Sequence, residues 1–261
     1  MSKLLVVGAG NMGSALLGSL ANEDYELFAM DTDEKKRKDL NHLQLTWLRN
    51  DDEIPKGAII ILAVKPALVQ QVLSTLKIKE DSLLISVAAG VPLDSLNRWT
   101  QGNNISCIRA MPNTPFIIGK GMTVFCPGPG VTDDQIEACR KVFLTGGAVF
   151  MVQNEELMHT VTAVSGSGPA YAFLFLQALE DAGVANGLSR PEARLLAGQT
   201  LAGASELLLE HKQSPQELIN QVTSPGGTTI AGILAMKDLG FEKAVHAAVN
   251  SARDRSIELG K

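Results

Sequence analysis

Apolar residues in the first half of the chain come in short, nearly unbroken runs rich in β-branched side chains, at 4–7, 27–30, 58–64, 83–87 and 105–110. Stretches with helical spacing separate them. Runs that are hydrophobic at every position suit parallel strands buried on both faces, so residues 3 to about 152 predict a doubly wound α/β domain. Past residue 155 the strand signal stops, and the sequence becomes rich in Ala, Leu, Glu and Gln with a few Gly and Pro breaks. That half predicts helices. Phe241, Ala244, Val245, Ala248, Val249 and Ala252 fall on one helical face, while 170–179 is apolar nearly all round and demands burial on every side, within the domain or against another subunit.

The first run leads directly into Gly8-Ala9-Gly10-Asn11-Met12-Gly13 and then a helical stretch. A GxGxxG placed between a strand and a helix is the dinucleotide fingerprint: Gly8 permits the tight turn, Gly10 lets backbone approach a diphosphate, and Gly13 lets the helix pack on the strand. The helix N-terminus then faces the phosphates. Residues 1–153 are accordingly expected to form an N-terminal Rossmann domain and 154–261 an all-helical domain. Asp31 ends the second strand 18 residues after Gly13, close to the offset at which an acid binds the ribose hydroxyls of NADH. Such a carboxylate repels a 2′-phosphate and tips the reading toward NADH. Lys35, Lys36 and Arg37 follow within reach of that phosphate, however, and keep NADPH open. Asp31 also suits the N-cap of the following helix. Ala63-Val64-Lys65-Pro66 and Ser86-Val87-Ala88-Ala89-Gly90 stand at the carboxyl ends of further strands, where small residues leave room for ribose and nicotinamide. Lys65 is either a phosphate or ribose contact or a surface lysine beside a proline turn.

Composition narrows the partners. With 45% hydrophobic and 20% charged residues the chain is ordinary globular protein, and its net charge of −5 leaves no basic stripe for nucleic acid and no polybasic segment for an anionic membrane. Three cysteines without CxxC spacing suggest reduced thiols rather than disulfides or zinc. No apolar stretch is long enough to span a bilayer, and the start is too short in its apolar core for a signal peptide, so a cytoplasmic location is expected.

In the second half, Ser224-Pro225-Gly226-Gly227-Thr228-Thr229 precedes a helical stretch from 230 to 239. Backbone N–H groups at such a helix start form a positive concavity suited to a carboxylate, and the threonine hydroxyls can donate or accept. An ordinary loop and cap would look the same. Ser165-Gly166-Ser167-Gly168-Pro169-Ala170 is a second glycine-rich helix start. His42, His159, His211 and His246 stand apart without metal-ligand spacing, and no metal site is expected.

Taken together, these motifs resemble those of the Δ1-pyrroline-5-carboxylate reductases, which make proline in its last biosynthetic step. The likeness spans nearly the whole chain and includes Arg109-Ala110-Met111-Pro112-Asn113-Thr114-Pro115, the 165–171 segment and, most specifically, the block from 215 to 236. It implies an NAD(P)H domain, with cofactor contacts at Gly8, Ala9, Gly10, Asn11, Met12, Gly13, Asp31, Thr32, Val64, Lys65, Pro66 and Ala89, and Asn50 near the adenosine side. It further implies a helical dimerisation domain that forms a dimer or a ring of dimers. By the same likeness Ser224, Gly226, Gly227 and Thr228 receive the carboxylate of 1-pyrroline-5-carboxylate, the Thr229 hydroxyl meets its ring nitrogen, and Glu155 is a substrate contact. L-Proline is the product. The pair after the second strand departs from the pattern: many relatives carry Asn-Arg or Ser-containing pairs where this chain has Asp31-Thr32-Asp33.

Two other readings compete. A β-hydroxyacid dehydrogenase shares the two-domain plan but uses a lysine soon after a glycine-rich helix start, and residues 166–177 hold neither lysine nor histidine to take a proton. A dinucleotide-binding regulator would need no anion turn at 224–229.

Overall fold

The computed structural model describes residues 1–100, 105–211 and 213–260. Eight strands form one sheet in the order β3-β2-β1-β4-β5-β6-β7-β8. Its strands are β1 (Ser2–Val7), β2 (Tyr25–Met30), β3 (Thr46–Trp47), β4 (Ile59–Leu62), β5 (Leu83–Ser86), β6 (Ser106–Met111), β7 (Gly121–Pro127) and β8 (Gly147–Met151). The five strands read from the sequence are all present. Those five pair in parallel as expected; β7, not among them, runs antiparallel to β6, and β8 runs parallel to β7. A short connection makes the reversal possible, since a parallel return would need a long crossover.

Helices α1 (Asn11–Leu20), α2 (Glu34–Asp39), α3 (Val69–Thr75), α4 (Leu93–Trp99) and α5 (Asp133–Leu144) link the strands. In α1 the buried positions Gly13, Leu16, Leu17 and Leu20 recur at helical spacing and lay one face on the sheet. Alternate residues of β1 enter opposite cores: Leu5 and Val7 one, Leu4 and Val6 the other. The near-continuous hydrophobicity of the strands is thus explained by two cores, one on each face.

Next come α6 (Leu157–Val161), a π-helical turn over Thr162–Gly166, and α7 (Gly168–Ala185), α8 (Arg190–Glu210), α9 (Pro215–Gln221), α10 (Thr228–Asp238) and α11 (Phe241–Leu259). Two compact units result, Met1–Ser167 together with the stretch from Ser251 on, and Gly168–Asn250. The pattern of apolar positions put 154–167 in the helical half; the structure groups it with the sheet, where Val152 and Met158 join the core. Within the second unit α7 packs on α8, and Arg190 and Arg194 of α8 hold Glu180 of α7 at 2.8 Å each. Arg194 first, then Arg190, hold that carboxyl down at about 2. No described helix is long and apolar enough to cross a membrane.

Candidate functional site

At the carboxyl edge of β1, Gly8 has φ +95°, a conformation that favours glycine, and a Cβ there would lie 2.7 Å from the Ala63 carbonyl oxygen. A Cβ at Gly13 would run into the Gly8 carbonyl, whereas the space beside Gly10 is open. The N-cap of α1 is Gly10, with no side chain capping the helix, so its first-turn N–H groups are left for an external anion. This cradle fits a dinucleotide diphosphate.

The cradle opens into a cavity of about 490 Å³ whose walls include Gly8, Gly10, Asp31, Thr32, Asn50, Val64 and Lys65. Seven of the residues expected to hold cofactor are thereby brought together at the switch in strand order between β1 and β4, where open α/β sheets bind ligands. Of the other six, Gly13 packs behind the cradle and Ala9 is tied to Asp31, while Asn11, Met12, Pro66 and Ala89 do not line that cavity. The sequence reading missed Leu68, Gln71, Val72 and Thr75, which close its far side. Their positions on α3 and the turn before it carry no motif.

Asp31 is engaged by the chain itself. Its Oδ2 accepts from the Ala9 N–H at 2.6 Å and its Oδ1 from the Asp33 N–H at 2.8 Å. The cap of α2 is Asp33, which accepts from the Lys35 N–H, so the capping role considered for Asp31 falls to its neighbour. Beyond Asp31 and Thr32 lies a recess of about 410 Å³ bordered by Glu34, Arg37, Trp47, Arg49 and Asn50.

Glu155 is placed differently from a free substrate contact. Its Oε1 accepts from the Leu93 N–H at 2.8 Å and from Arg109 Nη1 at 3.0 Å. Nearby, Asn113 donates to the Ser165 carbonyl at 3.2 Å and accepts from the Met122 N–H at 2.9 Å, which ties the end of β6 to the π-helical turn. His159 Nδ1 lies 3.0 Å from Ser256 Oγ, and burial, then Arg109, pushes the imidazole below its usual range. Burial raises the Cys126 thiol and lifts Cys107 to about 11, and Cys139 is raised further for the same reason, which disfavours the reactive thiolate.

In the second unit, Gly226 has φ +69° and Gly227 is the N-cap of α10, again with no side-chain cap. Its own N–H donates to the Ser224 carbonyl at 3.0 Å, closing the turn. The helix starts at Thr228, two residues before the expected start, and this puts Thr228 and Thr229 in its first turn. Both are exposed. The arrangement presents uncapped N–H groups and two hydroxyls on one open helix end.

A family model described as pyrroline-5-carboxylate reductase dimerisation matches residues 155–259, and one described as NADP oxidoreductase coenzyme F420-dependent matches residues 3–90. Pyrroline-5-carboxylate reductase of a Synechocystis species is 39% identical over 99% of this chain and 98% of its own. That of Escherichia coli K12 is 36% identical over 99% and 98%. Among solved structures, a Plasmodium falciparum pyrroline carboxylate reductase with NADP bound superposes with a TM-score of 0.89 at 32% identity, covering 100% of both chains. 1-Pyrroline-5-carboxylate reductase from Streptococcus pyogenes gives 0.87 at 30%, covering 98% of each.

Proposed function

This chain belongs to the pyrroline-5-carboxylate reductase family, and from that premise we propose that it reduces the C=N bond of 1-pyrroline-5-carboxylate to L-proline with NAD(P)H as the hydride source. One observation carries the reading at the level of residues. Among the described helix starts, α1 and α10 each follow a glycine N-cap with no side-chain cap, one closing the β1 fingerprint and one at 224–229, the first suited to a diphosphate and the second to a carboxylate.

When bound, the reduced nicotinamide supplies the hydride that the C5 carbon of the protonated imine accepts. The chain binds and orients. The first-turn N–H groups of α1 hold the diphosphate, Lys65 and Asn50 contact the flanking sugars and phosphates, and the small residues around Val64 and Ala89 leave room for ribose and ring. At the other helix start, N–H groups at Thr228 and Thr229 fix the substrate carboxylate, and the Thr229 hydroxyl holds the imine nitrogen. Because the reaction needs no nucleophile from the protein, catalysis rests chiefly on alignment of donor and acceptor carbons.

NADPH is the preferred cofactor on this reading. Each Asp31 oxygen already accepts one backbone N–H, and the recess beside Thr32 offers Arg37 and Arg49, neither ion-paired among the described residues, to a 2′-phosphate. Glu34 at the rim limits that preference. The assembly proposed is a dimer through the helical unit, with rings of dimers as its further association.

Following NADPH and NADH consumption with pyrroline-5-carboxylate as sole oxidant, and identifying proline as product, tests the activity. Binding of either cofactor without imine-dependent consumption would leave a regulator instead.

A further inference from the structure

Glu155 begins the segment that matches the dimerisation model, yet its carboxylate serves the sheet unit. It caps α4 from 62 residues away, because Pro92 at the N-cap has no side chain that can do so. The partner that aims it is Arg109 on β6, a residue 2% exposed whose Nη2 is buried without a hydrogen-bond partner among the described residues. A buried ion pair is weak evidence for stability, since apolar residues of similar volume often serve as well, and an orphaned guanidinium N–H adds a further cost. Position is what the pair secures.

What it positions is the 87–92 stretch. This begins at the carboxyl end of β5, where the buried Ser86 hydroxyl accepts from the Ala88 N–H at 3.3 Å, and ends at Pro92, the N-cap of α4. Gly90, at φ +82°, is pressed from outside by the last turn of α11: a Cβ there would lie 2.9 Å from Leu259 Cβ and from the Ser256 carbonyl oxygen. Ser256 is in turn held by His159, four residues beyond Glu155. The start and the end of the matched 155–259 segment therefore converge on one turn at the carboxyl edge of β5. That edge is where the nicotinamide half of a dinucleotide lies in open α/β sheets.

We propose that Arg109 and Glu155 are positioning residues for hydride transfer: they fix the 87–92 turn, and through it the placement of the nicotinamide, without touching the substrate. This rests on the reductase reading and replaces the substrate contact that the family resemblance implied for Glu155. A misplacement of about 1 Å at the reacting centre costs up to about 100-fold in rate, so a small change in this distant pair is felt in kcat.

Two near-isosteric variants separate reach from charge. Glu155→Gln keeps an oxygen at the same distance from Leu93 and Arg109 and loses the charge; Glu155→Asp keeps the charge and withdraws the oxygen by one methylene. The Gln variant is expected to stay within about threefold of wild-type kcat, and the Asp variant to lose about tenfold or more, both with the imine KM within about twofold. Amide hydrogen exchange at Leu93 should quicken in the Asp variant while the core stays protected. A kcat for Asp equal to or above that for Gln, or a rise in imine KM shared by both, overturns the proposal. Should the Asp variant fail to fold, Arg109→Lys is expected to show the same fall in kcat at unchanged KM, and a wild-type kcat there overturns it equally. If the unmodified enzyme consumes neither NADPH nor NADH with the imine, the reductase reading itself has failed and this inference falls with it.

Discussion

The two units of this chain are alike in apolar content and opposite in where that content is satisfied. In the sheet unit β4 and β5 have all their apolar side chains buried, and β6 all but the half-buried Met111. In Gly168–Asn250 the buried residues among those described are Ala193, Ala197 and Glu180, while Phe173, Leu174 and Leu195 are 64%, 69% and 72% exposed. Exposed apolar faces of this extent mark interaction surfaces. The first unit carries its own core, whereas the second leaves apolar faces exposed, in keeping with the self-association that its match to the dimerisation model supports. A consequence is that stability of the helical unit depends on protein concentration and that of the sheet unit much less.

The largest effect expected is from Phe173→Asp, which places a charge on the exposed face of α7. Each copy forfeits about 2–3 kcal/mol of aromatic burial and gains a desolvation cost, so sedimentation should show monomer where the wild type associates. An unchanged mass would break the comparison. Next, Ile60→Ala, fully buried in the sheet core, should cost about 2–5 kcal/mol. Its Tm shift should be the same at low and high protein concentration, whereas that of a helical-unit variant should not. Thr229→Ala should lower kcat by about 100-fold, the loss typical of one oriented hydrogen-bond donor, with Tm nearly unchanged; unaltered kinetics would remove the role given to its hydroxyl. Acid sharpens the contrast further. Glu180 titrates near 2 in the folded helical unit against 4.5 ordinarily, so its contribution is fully present above about 4.5 and disappears as pH falls toward 2. Thermal unfolding across that window should destabilise the wild type more than Glu180→Gln, and parallel curves would refute the assignment. The smallest effect is expected at Arg37, where replacement by Ala should weaken NADPH by several-fold and NADH little, in fluorescence titrations, because an exposed charge contact is worth about 1 kcal/mol or less.

What could be read from sequence follows the same division. The strands at 4–7, 27–30 and 58–64 announced themselves because burial on both faces makes every position apolar. β7 and β8 did not stand out as runs: β7 is bounded by Gly121 and Pro127, and the edge strand β8 alternates half-buried with exposed positions. β3 spans two residues, too short for any period. The cofactor cradle was legible because glycine spacing encodes backbone geometry directly. The bonds from Asp31 to Ala9 and from Glu155 to Arg109 were not, since they join residues 22 and 46 positions apart with no periodic trace. Likewise, the boundary near residue 153 could not be refined from pattern, because α6 has helical spacing whichever unit it packs against. For the helical unit the apolar pattern announced a demand for burial within the domain or against another subunit, and the family resemblance pointed to the second.

Direct transfer of hydride to the imine carbon is the claim on which the account turns. It is tested by incubating the protein with pyrroline-5-carboxylate and NADPH deuterated at the nicotinamide C4, then locating the label by NMR and mass spectrometry. Deuterium bound to C5 of the L-proline formed is the predicted result. With both C4 positions of the cofactor deuterated, L-proline formed without deuterium at C5, or no proline formed at all, would contradict it.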